Sequence, residues 1–211
     1  MITSSESGTA APAPGFADPT REAQSVFRAI LDALAHPGQR YSIQGPAKAP
    51  ASLGPGLAAV AMTILDEQSP VALHEALAHD ASAVHYLSFH TGARLATSIG
   101  AADFVFATPD SFPDLEALAH GSDEAPHRSA TIILDARARG EGDRFTGVGP
   151  GIDGIVEIDA PWVPTGFADV WAKNASLFPR GVDLLVVDDN SVVALPRTTR
   201  LIAASIPGSE A

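Results

Sequence analysis

The sequence contains no cysteine and only two lysines, Lys48 and Lys173, among its 211 residues. Without cysteine, the chain forms no disulfide, holds no zinc ion or iron-sulfur cluster through thiolates, and has no cysteine nucleophile. Lys48 lies in a connector rich in proline and alanine, and Lys173 lies within a predicted helix. Neither position is expected to desolvate an amine, so the pattern offers no candidate for lysine imine chemistry.

Positive charge is also scarce, because 13 Lys and Arg stand against 25 Asp and Glu and give a formal net charge of -12. This balance disfavours a surface for duplex nucleic acid or for an anionic membrane, since both need clustered cations. No run of 18 apolar residues occurs, and no Lys or Arg precedes Arg21, so the pattern indicates neither a membrane span nor a signal peptide. We therefore expect a cytoplasmic protein that binds neither nucleic acid nor membrane.

Residues 1–14 are small, polar and proline-containing, and we expect them to form a disordered tail. Residues 15–211 are expected to form a single domain. Short apolar runs alternate with helical patterns in this part of the chain, which favours a mixed or parallel sheet covered on both faces. The predicted fold is a three-layer α/β/α domain. The apolar runs occupy residues 71–73, 104–106, 131–134, 155–158 and 183–187.

The first predicted helix begins at Asp18-Pro19, an N-cap followed by proline at the first helical position, and ends at Pro37-Gly38. Its apolar residues recur at helical spacing, and we expect Phe27 and its helix partners to lie in the core. Residues 188–191 have the composition of a turn, which predicts a final antiparallel hairpin. Further helices are predicted over residues 57–65, 81–90, 112–119 and 165–177.

Residues 149–154 match the Gly-x-Gly-x-x-Gly pattern that binds a pyrophosphate at a helix N-terminus. Residues 155–158 are strand-like, however, and Pro150 lacks an amide hydrogen, so a turn joining two strands is the favoured interpretation. Free amides in such a turn can still form an anion-binding nest. The candidate residues of this nest are Thr146, Gly147, Gly149 and Gly151.

Arg197 and Arg200 are three residues apart and could bind one anion together. In so acidic a chain, internal salt bridges to Asp or Glu are the favoured use of both side chains, and an external phosphate or partner is the alternative. His74 and His79 are five residues apart, which places them on different sides of a helix or a strand and disfavours a shared metal ion. No Gly-x-Ser-x-Gly motif marks a nucleophile. These residues identify no catalytic group, no metal site and no cofactor.

Several strings in the chain, taken together, resemble the H subunit of the bacterial carbon-phosphorus lyase complex, the PhnH family of phosphonate metabolism. The longest are LFPRGVD at residues 177–183 and LPRTTR at residues 195–200. The others occupy residues 15–19, 27–28, 32–34, 89–92, 102–104, 121–124, 128–131, 149–152 and 174–175.

The resemblance implies a fold similar to the large domain of fold-type I pyridoxal-phosphate aminotransferases, without the cofactor. It also implies a homodimer that joins the G, I and J subunits in a core complex. In that complex, the G, H and I subunits are implicated in displacing adenine from ATP by an alkylphosphonate, which gives a ribose 1-alkylphosphonate 5-triphosphate. Carbon-phosphorus cleavage belongs to the J subunit, a radical enzyme whose iron-sulfur cluster this cysteine-free chain cannot hold. The resemblance supplies no catalytic residue.

Three hypotheses follow. In the first, the chain is an interaction subunit of a phosphonate-processing complex and has no activity alone. In the second, it binds or converts a small molecule, with an anion pocket formed by residues 147–151, Arg197 and Arg200. In the third, it is a cofactor-binding relative of aminotransferases, which requires a lysine imine.

Overall fold

The structure is a computed structural model that describes residues 12–137, 143–164 and 166–203. Residues 1–11 of the predicted tail, and Thr165 at the predicted start of the last helix, lie outside these ranges. None of the helices in the described ranges has the length and apolarity needed to cross a membrane. The α-helices are α1 (Pro19–Ala35), α2 (Gly54–Ile64), α3 (Glu75–His79), α4 (Ala81–Thr91) and α5 (Phe167–Ser176). The strands are β1 (Tyr41–Ser42), β2 (Pro70–Leu73), β3 (Arg94–Leu95), β4 (Phe104–Ala107), β5 (Thr131–Asp135), β6 (Asp143–Val148), β7 (Val156–Ala160), β8 (Asp183–Asp188), β9 (Ser191–Leu195) and β10 (Arg200–Ala203).

The helix α1 begins as the sequence predicts, but its buried face differs from the prediction. The Asp18 side chain accepts a hydrogen bond from the main-chain N–H of Arg21 at 3.2 Å, and Pro19 lies in the first turn. Val26 is buried, whereas Phe27 is 48% exposed. The prediction that Phe27 and its helix partners lie in the core is therefore wrong for Phe27 and for Leu31, which is also 48% exposed. It is confirmed for Val26 and Ile30. Successive residues of a helix are rotated by about 100°, so the burial of Val26 turns Phe27 towards the rim of the buried face.

Seven strands form one mixed sheet in the order β1-β9-β8-β5-β4-β2-β3. The five strands from β8 to β3 are parallel, whereas β9 runs antiparallel to both of its neighbours. In the β8–β9 hairpin, Leu184 pairs with Leu195 and Asp188 pairs with Ser191. These observations confirm the α/β class, the mixed sheet and the final hairpin.

The sheet separates two apolar clusters, because alternate residues of each strand point to opposite faces. Ile133 and Leu185 belong to the cluster that includes the buried residues of α1, α2 and α4. Ile132 and Leu184 belong to the second cluster, together with Phe167 of α5. The second cluster also contains residues of a smaller antiparallel sheet, which has the order β10-β6-β7. One outer layer is therefore helical, and the other combines a helix with strands.

Two predicted elements differ from the structure. Residues 155–158 were expected in the main sheet, but β7 pairs with β6 in the smaller sheet, because the turn between them favours local antiparallel pairing. The predicted helix over residues 112–119 is wrong, since only the short 3-10 helix Leu115–Ala117 forms there. The Asp114 side chain accepts a hydrogen bond from the Glu116 N–H at 3.0 Å, an interaction that competes with a continuous α-helix.

Candidate functional site

The glycine-rich segment is a turn between two strands. It follows β6 and precedes β7, and no helix begins after it. The Ile152 N–H donates a hydrogen bond to the Gly149 carbonyl at 3.2 Å, which closes part of the turn. The turn interpretation is therefore confirmed, and the dinucleotide-binding arrangement of strand, glycine loop and helix does not occur here.

Two glycines of this segment are required by close packing. A Cβ atom at Gly147 would lie 2.8 Å from a methyl carbon of Ile158, on the buried face of the smaller sheet. A Cβ atom at Gly151 would lie 2.0 Å from the carbonyl oxygen of Ala35, at the end of α1, and the φ angle of Gly151 is +80°. Glycine at both positions thus allows the turn to pack closely against the rest of the domain. This close packing explains why these two residues are glycines, without a bound anion.

Arg197 forms an internal cluster that uses all five of its side-chain N–H groups. Its Nε donates to Asp183 Oδ1 at 3.1 Å. Its Nη2 donates to Asp183 Oδ2 and to the hydroxyl of Ser129. Its Nη1 donates to the carbonyls of Pro126 at 3.1 Å and Pro179 at 3.3 Å. An external anion would have to displace one of these bonds, so the internal salt bridge is the use that the structure gives to Arg197.

Arg200 has a different environment, since it is exposed at the start of β10 and lies opposite Val148 of β6. Among the described residues, no acidic side chain forms an ion pair with it. It lines an open cleft of about 470 Å³ together with Gly149. We call this the Arg200 cleft. Its other lining residues are Val148, Pro150, Ala175, Phe178 and Thr198.

The structure thus brings together two of the six predicted anion-binding residues, Gly149 and Arg200. Thr146 lies opposite Ile202 on the same face of the smaller sheet as Arg200, next to the cleft but outside its lining. The remaining three, Gly147, Gly151 and Arg197, are engaged in packing or internal hydrogen bonds.

A second charged cluster lies at the carboxyl edge of the parallel strands. Arg137 Nε donates to both carboxylate oxygens of Asp135, at 2.9 and 3.1 Å, just beyond the end of β5. Its Nη1 and Nη2 donate to the carbonyls of Ala51 at 3.0 Å and Ser52 at 2.6 Å. The hydrogen bonds to Asp135 raise the pKa of Arg137. This cluster fastens the segment before α2 to the end of β5.

His74 lies near Asp135 and Arg137, at the point where the strand order of the sheet reverses between β2 and β4. Its main-chain N–H donates to the Phe106 carbonyl at 2.9 Å. Burial lowers the pKa of His74, Asp135 acts in the opposite direction, and Arg137 lowers it further. Its Nε2 is buried and has no hydrogen-bond partner among the described residues. Burial therefore favours the neutral form of the His74 ring, which lies at an edge where α/β proteins often bind ligands.

The described residues contain no group of three His, Asp or Glu side chains that could hold a metal ion. Glu75 and His79 are both exposed on α3, and the His79 ring nitrogen Nδ1 lies 2.8 Å from the Glu75 carbonyl. The side chains of Glu75 and His79 on this short helix are therefore both exposed to solvent.

The comparison with known proteins decides the family. The family described as bacterial phosphonate metabolism protein (PhnH) matches residues 14–202. The chain belongs to the PhnH family. A similar protein is the subunit PhnH of alpha-D-ribose 1-methylphosphonate 5-triphosphate synthase from Rhizobium meliloti (strain 1021), with 40% identity over 187 residues, 88% of this chain and 93% of the relative. HtxG of Stutzerimonas stutzeri, which carries the name of a C-P lyase subunit, is 31% identical over 182 residues, 84% of this chain and 85% of the relative.

Membership in the PhnH family confirms the resemblance inferred from the sequence strings. The same strings gave no indication of the Asp135–Arg137 pair. The sequence pattern that marks this pair is short. It consists of an acidic residue at the end of an apolar run and an arginine two positions later. The β6 and β10 strands were also missed, because neither is a continuous apolar run.

Proposed function

We propose that the chain is a subunit of the carbon-phosphorus lyase core complex in organic phosphonate catabolism. In this role it supports the formation of α-D-ribose 1-alkylphosphonate 5-triphosphate from ATP and an alkylphosphonate, and it has no activity alone. The observation that carries the proposal is the 40% identity to the synthase subunit of R. meliloti, which extends over 93% of that relative.

The geometry supports a contribution through binding surface and stability. Two arginines that could bind a substrate anion, Arg137 and Arg197, are instead committed to internal carboxylates and carbonyls. At the same time, Phe27 and Leu31, which lie four residues apart on the same side of α1, are each 48% exposed and form adjoining apolar surface. Exposed apolar surface is typical of proteins that associate with partners.

The same proposal includes finer expectations. The partners are the G, I and J subunits and a second copy of this chain, and the complex acts in the cytoplasm. Residues 15–211 form one domain similar to the large domain of fold-type I aminotransferases, without pyridoxal phosphate. The seven-stranded mixed sheet supports this likeness. The exposure of both Lys48 and Lys173 supports the lack of a cofactor imine, since neither amine is desolvated.

The subunit role is tested by measuring release of adenine from ATP and methylphosphonate by chromatography. We expect the purified chain to release none, and a mixture of the G and I subunits with the associated ATP-binding-cassette-like protein to release at least about tenfold less adenine when this chain is left out. Adenine release by the chain alone would contradict the proposal. Equal rates with and without the chain would contradict it as well.

A second candidate function is the binding of a phosphate-type anion, because Gly149 and Arg200 line one cleft. Isothermal titration of the isolated chain with ATP tests it. If the site exists, Arg200→Ala abolishes the heat of binding, because an arginine is the main source of affinity for an anion there. Arg144→Ala is the matched control, since Arg144 is exposed on the neighbouring strand and pairs with Asp159 at 3.3 Å. Absence of heat with the unmodified chain would eliminate this function.

A further inference from the structure

The surface around the Arg200 cleft combines one cation with exposed apolar side chains. Phe178 is 65% exposed and lines the cleft together with Arg200. Ile202 is 57% exposed and follows Arg200 by two residues on β10, so both side chains lie on the same face of the smaller sheet. The apolar surface therefore continues beyond the cleft on the side of Ile202.

Within the described part of the chain, Arg200 lacks the acidic partner that the two nearby arginines of the sequence, Arg180 and Arg197, each have. Arg180 forms an ion pair with Asp123 at 3.3 Å, and Arg197 forms one with Asp183. Among the described residues, Arg200 has no such pair, although the whole chain carries a net charge of -12. The apolar groups beside it would desolvate Arg200 on contact with another molecule, and that molecule must then supply a negative charge.

The ligand that this surface fits carries little charge. One arginine balances one carboxylate, whereas a triphosphate has several charges that this acidic chain would repel. Most residues that line the cleft are apolar, and such surfaces bind apolar groups around a few polar contacts. Exposed aromatic residues and arginines are also the side chains that are enriched at the centres of protein interfaces.

We propose that the surface formed by Phe178, Arg200 and Ile202 binds a segment of a companion protein that presents one carboxylate between apolar side chains. This inference rests on the proposed function, because it identifies where this chain meets another subunit of the complex. The carboxylate pairs with Arg200, and the flanking apolar side chains pack on Phe178 and Ile202.

The test is quantitative co-capture of the G, I and J subunits by the tagged full-length chain, with each subunit identified by mass spectrometry. Arg200→Glu is expected to reduce capture at least about tenfold, because two carboxylates then face each other. Phe178→Ala is expected to reduce it by a similar factor through lost packing. Arg94→Glu is the matched control, since Arg94 is exposed on β3 and introduces the same change of charge. It should leave capture unchanged.

A cross-linking experiment provides a second measurement. Benzoylphenylalanine in place of Phe178 should, after irradiation, form an adduct with a companion peptide that contains Asp or Glu. Thermal unfolding of each variant checks that the fold is retained, and we expect midpoints close to that of the unmodified chain.

The outcomes are distinguishable. If the unmodified chain captures no companion subunit, the proposed function itself is wrong. If it captures them and Arg200→Glu captures them equally well, the subunit role stands and this surface is the wrong one. If Arg200→Glu abolishes binding of inorganic phosphate or ATP to the isolated chain but leaves companion capture intact, the anion is a small molecule and the inference is overturned.

Discussion

The Arg197→Met variant should unfold with a free energy about 3 kcal/mol or more below that of the unmodified chain. Methionine preserves much of the side-chain volume but removes every hydrogen bond of the guanidinium. The carboxylate of Asp183 then loses its charge partner in a mostly buried position, and the carbonyls of Pro126 and Pro179 lose their donor. An unpaired buried charge is more costly than the loss of an ordinary hydrogen bond.

Thermal or urea unfolding measures this effect, and for a chain of this size the midpoint should fall by roughly 6 to 12 °C. Arg200→Met is the matched control, because Arg200 lies three residues away, is exposed and has no ion pair among the described residues. Its stability should change by less than about 0.5 kcal/mol. Adding Asp183→Asn to Arg197→Met should restore part of the loss, since the unpaired charge is then removed. Equal stability of the two arginine variants would show that the Arg197 cluster is not a structural support.

The Gly151→Ala variant should lose about 2 to 5 kcal/mol of stability, from two separate causes. The positive φ angle of +80° is strained for alanine, which costs about 1 to 2 kcal/mol. The added methyl group would also lie 2.0 Å from the Ala35 carbonyl oxygen, so the turn or the end of α1 must move. Forced displacement of packed groups costs about 1 to 3 kcal/mol more.

Gly154→Ala separates these causes. Gly154 has a φ angle of +73°, and a Cβ atom there would meet nothing within 4 Å. Its replacement should cost only the backbone strain, about 1 to 2 kcal/mol. The difference between the two variants, measured by urea unfolding, reports the contact with α1. If both variants lose the same amount, the turn is not seated against Ala35.

The sequence correctly predicted those elements that depend on interactions between residues close together in the chain. The Asp18-Pro19 cap, the turn at residues 188–191 and the buried runs of β5 and β8 all appear where expected. In each case the deciding interaction lies within a few residues, or the strand is apolar on both faces. Such features are visible in a sequence without knowledge of the fold.

Other features depend on contacts that are distant in the chain. No sequence feature near residues 155–158 predicts that β7 joins the smaller sheet. Alternation of apolar residues predicts a strand, but it does not predict which strand it pairs with. The exposure of Phe27 likewise depends on how closely α1 packs against α2 and β9. The composition favoured internal salt bridges for Arg197 and Arg200, and the structure confirms this for Arg197, but the sequence did not identify its partner, Asp183, which lies 14 positions earlier at the start of β8.

The candidate cleft was accessible to sequence reasoning only in part. Gly149 and Arg200 were selected for their chemistry, and the pairing of β10 with β6 brings them together. Phe178, the aromatic residue of the same cleft, was recognised only as part of a family string. Its position beside Arg200 requires the end of α5 to meet β10, which no local pattern specifies.

The two arginine clusters hold opposite ends of the same pair of neighbouring strands. Arg137 binds Asp135 at the last residue of β5 and lies 4.0 Å from Asp189, just after β8. Arg197 binds Asp183 at the first residue of β8 and Ser129, just before β5. The centre of the sheet therefore resists fraying from both ends, and transient local opening is directed to the two-residue edge strands β1 and β3. The β5–β8 ladder thus keeps its register even when the edge strands open.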